Sequence, residues 1–409
     1  MRITTATQFQ QSVETLQRRQ ESLQMAQERL VSGKKIARAS DDPTEAARAE
    51  RALARQSQIE ATQRALEASR QAMSLAESAL GDGVDIMQRV RELVVQSGNA
   101  SYSDDQRLSI ASELRGLRQQ LLGVANRSDG AGGYLFAGQG AASPPFVDGA
   151  VGVEFKGTAG QALAASSETM PLSVDGKATW LMSLTGNGVF ETAYAASSTA
   201  PLTHQPRSWI DAGRVTDPSL LRDASYTLSF SGSAASGISV TVSRSPAGTP
   251  ALSPATRPFV SGQAIEFDGI AVTVTGSPAS GLDTFKVSPA TRDLSPFGAI
   301  DKIASALEAG GRTAAQVTQT VQSGLRDLDS ALGTLISVRS GIGGVLGKIE
   351  GASARLGDTK VAAQAERSAA EDLDMVEAVS QFQSRQTSYD AALKAYSMVQ
   401  RLSLFEYIR

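Results

Sequence analysis

Apolar residues recur every seven positions at both ends of the chain. Phe9, Leu16, Leu23 and Leu30 form one row near the start, with Val13 on an offset row that Gln20 and Gln27 continue. Near the end Met375, Phe382, Tyr389 and Tyr396 form a second row, interleaved with Val379, Gln386, Leu393 and Gln400. A spacing of seven keeps one narrow stripe facing a partner helix, so both ends read as coiled-coil arms whose simplest closure is to pair. These rows, with Leu404 and Phe405 beyond them, are the candidate assembly surface. The glutamines dilute each seam. So little apolar burial does not offset the ordering of two segments of roughly forty residues at ~1–2 kcal/mol per residue, which predicts arms that order as they assemble.

Ser32-Gly33 marks the end of the first arm, and Asp41-Asp42-Pro43-Thr44-Glu45 a new helix start. With Asp42 as N-cap, Pro43 falls at the first helical position and Glu45 at the third, the places where each residue type is favoured. From there Leu53, Ile59, Leu66, Met73, Leu80, Met87 and Leu93 or Val94 predict a helix to about Gly98. Ser103 with Gln106 predicts a capping box that opens a helix through Leu108, Ala111, Leu114, Leu117, Leu121 and Val124. After Pro296, a three-four spacing from Val317 through Leu328, Leu335, Ile342 and Ile349 predicts a helix packed along the 43–98 segment. The glycines at 341, 343, 344 and 347 are expected to interrupt that helix and to serve close packing.

Thirteen of the fourteen prolines lie between Pro144 and Pro296, and Pro43 is the other. Proline costs about 3 kcal/mol in a helix interior, so the flanks are free to be helical and the middle is not. Within the middle, alternating runs predict strands at Tyr226/Leu228/Phe230, Ile238/Val240/Val242, Ile270/Val272/Val274 and Phe285/Val287. A segment that leaves a helical body, forms strands and returns is an insertion. The expected fold class is α+β and multidomain, a long α-helical rod with paired terminal coiled-coil arms and an inserted β-rich domain. The arms are placed at 1–40 and 365–409, the rod with short β elements at 41–185 and 293–364, and the insert at 186–292.

Composition removes most chemistry from consideration. Cysteine is absent and His204 is the sole histidine, so thiol catalysis, disulfides and histidine metal clusters within one chain are excluded. A net charge of −3 gives no general attraction to nucleic acid. No window reaches the ~18 apolar residues of a membrane span, and the opening MRITTATQFQQSVETLQ lacks the apolar core of a cleavable signal peptide. The glycine run GIGGVLG (341–347) has Leu346 where a dinucleotide fingerprint needs glycine. Asp41/Asp42 and Asp104/Asp105 sit at helix starts, where carboxylates favour the dipole. His204, between prolines, reads as a loop residue, and Asn99 and Asn126 head sequons at helix ends. No enzyme, cofactor, metal set, nucleic-acid partner or membrane insertion is expected.

The stretch QERLVSGKKIARASDDPTEAARA (27–49) resembles the N-terminal arm of the flagellin family, and EDLDMVEAVSQFQSRQTSYDAALKAYSMVQRLSLFEYI (371–408) resembles the matching C-terminal arm. Within that family Met1-Arg2-Ile3-Thr4-Thr5, GYLFAG (133–138) and Leu402-Ser403-Leu404-Phe405 resemble the members at the hook–filament junction; filament flagellins more usually open with an Asn-Thr-Asn pattern. The resemblance implies a structural axial protein of the bacterial flagellum, exported without a cleaved signal and self-assembling in a ring-like layer. Its implied partners are the first hook-associated protein, flagellin and a cytoplasmic export chaperone on the C-terminal arm. A filament flagellin, or an axial protein whose insert binds glycan or carries enzymatic activity, are the alternatives.

Overall fold

The computed structural model describes residues 5–407 except 37, 142, 165–169, 198–199, 202–203, 234–236, 248–251 and 253; the side chains at 5–9 and 399–407 lie outside that description. Three helices come first, α1 (Thr5–Ser32), α2 (Pro43–Ser97) and α3 (Asp104–Ala125). Short elements follow: β1 (Phe146–Gly149), β2 (Gly152–Phe155), β3 (Leu163–Ala164), β4 (Met170–Pro171), α4 (Gly176–Leu181) and β5 (Ser183–Leu184). The insert holds β6 (Phe190–Ala196), β7 (Ser208–Ile210), β8 (Arg214–Val215), β9 (Ser225–Ser233), β10 (Gly237–Ser245), β11 (Thr256–Pro258), β12 (Ala264–Phe267), β13 (Ile270–Gly276) and β14 (Asp283–Pro289). Then come β15 (Arg292–Leu294), α5 (Pro296–Glu308), α6 (Ala314–Glu371) and α7 (Met375–Tyr407). The fold is α+β, with two compact units: residues 1–64 with 351–409, and residues 65–350.

In the larger unit, α2 buries Leu66, Met73, Leu80, Met87 and Val94 on one row of seven, and Ser69, Ala76, Gly83, Val90 and Ser97 on the row three residues on. One row is large and the other mostly small, so a facing helix can settle closely. From α6 come Val321, Leu328, Leu335, Ile342 and Ile349, again every seventh residue. The two helices run antiparallel, with Arg91 Nε 2.7 Å from Asp329 Oδ1 and Arg339 Nη2 2.7 Å from Glu77 Oε1. α3 opens on the expected capping box of Ser103 and Gln106, and packs with α5 onto the same core. Trp180 stacks on Phe297 at 5.9 Å and meets Phe136 edge-on at 5.6 Å. Gly83 lies close beneath it, and a Cβ there would stand 3.0 Å from the Trp180 ring and press on it.

Contrary to expectation, α6 runs unbroken through Gly341, Gly343, Gly344 and Gly347. These glycines do not serve close packing either. All four are exposed, and a Cβ at any of them would meet nothing within 4 Å. The apolar residues among them, Ile342 and Ile349, keep the inward row intact, and that burial outweighs the low helix propensity of glycine.

The insert is two sheets around one core. Five strands run in the order β11-β10-β9-β14-β6, and the second sheet is β12-β13-β7 with β8 also on β13. Tyr226, Leu228 and Phe230 of β9, Val240 and Val242 of β10, Val272 and Val274 of β13, and Phe285 and Val287 of β14 point into the core. The neck is the β5/β15 ribbon, closed by the Thr185 N–H donating to Thr291 O at 2.9 Å.

His204 lies in a loop of the insert, but its Nε2 stands 2.7 Å from Oδ1 of the fully buried Asp283. That carboxylate also accepts from the Tyr194 hydroxyl at 3.1 Å, the Ser208 hydroxyl at 3.3 Å and the Ala279 N–H at 2.8 Å. Four donors replace the water it lost. Asn126 is likewise engaged, its side chain donating to Phe146 O at 2.8 Å and accepting from Phe146 N–H at 2.9 Å.

Two predictions follow from this packing. Gly343→Ala should raise stability by about 0.5–1 kcal/mol in urea denaturation, since an exposed helical glycine gains from a Cβ that touches nothing; a loss would show that the face is packed. Burial pushes the Tyr194 and Tyr226 phenols up to about 12, reinforced by Asp283 and Asp268 respectively. Unfolded tyrosine titrates near ~10, so the folded insert keeps protons that the unfolded chain has lost, and stability present below pH 10 falls as pH rises toward 12. The denaturation midpoint should drop across that window, and less steeply in Tyr226→Phe; a midpoint independent of pH would contradict the assignment.

Candidate assembly surface

The smaller unit is built on two helix breaks. α1 ends where Gly33 takes a φ of 67°. α2 begins where Asp42 Oδ1 accepts from the N–H groups of Thr44 at 3.0 Å and Glu45 at 3.1 Å and from the Thr44 hydroxyl at 2.6 Å. These bonds, the Thr44 hydroxyl foremost, hold the Asp42 carboxyl below its ordinary range. Pro43 takes the first helical position, where no N–H is required. The Glu45 carboxylate meets Arg48 Nη1 at 2.8 Å and Lys35 Nζ at 4.0 Å.

The second break, between α6 and α7, has no glycine or proline to announce it. Asp374 caps α7 by accepting from the N–H groups of Val376 at 2.9 Å and Glu377 at 3.2 Å. The two breaks are stitched together by their backbones: Lys35 N–H donates to Glu371 O at 2.8 Å, and Leu373 N–H to Gly33 O at 3.0 Å. The Glu371 carboxylate adds Lys34 Nζ at 3.0 Å and Arg367 Nε at 3.4 Å.

Beyond the breaks α1 and α7 run antiparallel. Arg19 Nη1 donates to Ser388 O at 2.6 Å, and Arg385 Nη1 donates to Ser22 O at 3.0 Å. Val13, Leu16, Leu23 and Leu30 of α1, and Phe382, Tyr389 and Tyr396 of α7, are half-buried. Met375, Val379 and Leu393 remain exposed, at 50%, 42% and 41%. The side chains of Phe9, Leu404 and Phe405 lie outside the described residues. Only Ala26 and Ala378 are buried among the described side chains of these two helices, each at 9% exposure.

Alanine also sets the register where the start of α2 lies in this unit with the end of α6. Ala49, Ala52, Gln56 and Ile59 are buried on the first, and Ala352, Ala363 and Ala370 on the second. Leu53, expected within the apolar stripe, is 42% exposed and its neighbour Ala52 takes the inward place. An alanine row carries little hydrophobic contrast, so the sequence pattern points to Leu53 where the fold buries Ala52.

A share of the large apolar side chains is thus left open to solvent. Val31 and Val376 are each 83% exposed, and Met25, Val361 and Met398 are also uncovered. Exposed large apolar side chains on these helices are available for burial against another apolar surface. Among the described residues no cluster of histidine, aspartate and glutamate is arranged for a metal, and no helix is long and apolar enough to cross a membrane. What this surface can do is bury apolar area against other helices.

The profile of the bacterial flagellin N-terminal helical region matches residues 3–141, and that of the bacterial flagellin C-terminal helical region matches residues 325–408. Flagellar hook-associated protein 3 of Escherichia coli is 28% identical over 47% of this chain and 57% of its own length. The Salmonella typhimurium protein of the same name is 31% identical over 36% of this chain and 46% of its own. The chain therefore spans about half the length of the curated relatives it matches. The crystal structure of a flagellar hook associated protein-3 from Legionella pneumophila superposes with a TM-score of 0.70 at 28% identity, covering 77% of this chain and 97% of that one. Two matched helical regions, at opposite ends and in order, place this chain in the bacterial flagellin family.

Proposed function

We propose that the chain is a structural, non-enzymatic subunit of the bacterial flagellum that forms the junction layer between hook-associated protein and filament. The observation that carries this reading is the arm pair itself, whose buried contacts are alanines and whose large apolar residues stay half-buried or exposed within one chain. Copies of the chain cover one another's arms in a ring-like axial layer. In this reading residues 1–40 and 365–409 are the assembly arms, 41–185 and 293–364 the helical body, and 186–292 the insert. The names of the relatives support the hook–filament position over the filament itself. The first hook-associated protein and flagellin are the neighbours on either side, and an export chaperone holds the C-terminal arm before secretion without a cleaved signal.

The test is position and incorporation. Antibody to the chain should label one spot at the base of each filament; labelling along the filament length would make it a filament flagellin instead. Tyr389→Asp places a charge on the half-buried row of α7, and its incorporation should fall at least tenfold while the unit at 65–350 keeps its melting transition. Normal incorporation of that variant would contradict the arm mechanism.

A further inference from the structure

The insert meets the helices through polar contacts where an apolar core would be expected. The buried cluster of α2, α3, α5 and α6 and the buried cluster of the insert share no residue. Between them Arg326 of α6, its side chain 8% exposed, donates through Nη1 to Thr192 O at 3.1 Å and to Thr192 Oγ1 at 2.9 Å. Its charge is balanced by Asp327 Oδ1 at 3.3 Å and Glu191 Oε1 at 3.9 Å. Gln319 Oε1 accepts from Ile210 N–H at 2.9 Å, and the Thr313 hydroxyl donates to Pro206 O at 2.8 Å. Open grooves of about 770, 420 and 260 Å³ surround this seam and the neck.

We infer that Arg326 is a latch that fixes the pose of the insert on α6, and that the insert swings about the β5/β15 ribbon when the latch is released. The backbone acceptor it holds lies on β6, the edge strand of the five-stranded sheet, whose outer groups have no strand beside them among the described residues. An edge carbonyl is satisfied equally well by water, so releasing it leaves no orphaned group. An apolar seam could not open this way, because opening would expose its whole area to water. The grooves give the room, and the neck is only a two-strand ribbon with a register shift between Arg292 and Leu294. The insert keeps its own core in either pose.

The absence of cysteine makes the test direct. Spin labels on Gln120→Cys in α3 and Val260→Cys in the insert, in the full chain, report one distance by pulsed electron resonance. The parent should give a single narrow distribution, and Arg326→Gln a distribution at least twice as wide, with a second population. Arg326→Lys, which can still donate to Thr192, should return most of the sharpness. Thr192→Val, which removes the hydroxyl that accepts from Arg326 and donates to Asp211 O at 2.6 Å but leaves the Thr192 carbonyl to Arg326, should broaden it less than Arg326→Gln and keeps the test available if that variant folds poorly. A distribution as narrow in Arg326→Gln and Thr192→Val as in the parent would overturn the latch.

Discussion

A pair of antiparallel helices has one inner face, and what is placed on it decides what is left for the outside. In the unit of residues 1–64 with 351–409 the buried apolar side chains among the described residues are Ala26, Ala49, Ala52, Ala352, Ala363, Ala370 and Ala378 together with Ile59, while the larger Leu16, Leu23, Leu30, Phe382, Tyr389 and Tyr396 are only half-buried. Alanine lets helices approach but removes little surface from water, about a third of what leucine would bury, so the pairing is held weakly within one chain. Val31, Val376, Met375 and Met398 are spent on the outer faces, where only another molecule covers them. The larger unit makes the opposite choice. Met73, Leu80, Met87, Leu328, Leu335 and Trp180 all turn inward, and it needs no partner to close its core.

That contrast gives each part of the chain a physical role. The stitched breaks at 33–42 and 371–374 hold two helix ends together by backbone bonds that do not depend on side-chain burial. Charged groups then tune the surface without securing it. Arg118 departs from this, as Arg326 does, since it is buried between Asp148 and Asp301, at 2.5 Å and 2.9 Å, and ties α3 to β1 and α5. Its guanidinium holds the Asp148 carboxyl below the ordinary range. Replacing Arg118 leaves both carboxylates without their cation and typically costs about 1–3 kcal/mol.

Much of this was legible in the sequence, for identifiable reasons. Period seven located the arms, the Asp42-Pro43 start located α2, and alternation located β9, β10, β13 and β14, because each is a local rule with large residues in it. The features that escaped are those in which small or polar residues carry the structure. Ala52 displaces Leu53 because helix approach rewards the smaller side chain. Gly343 looks like a close contact and is an open face. Asp374 caps a helix whose start has no proline. His204 reads as a solvated loop residue, and only the fold brings Asp283 to it from 79 positions away.

The central claim is that the arms gain their order from neighbouring subunits. Amide hydrogen exchange over residues 10–32 and 375–398 in the monomer and in the assembled layer measures it most directly. The account predicts exchange within seconds in the monomer, protection of at least a hundredfold in the assembly, and protection of 66–97 and 321–350 in both. Arms as strongly protected in a proven monomer as the helices of the larger unit would contradict it.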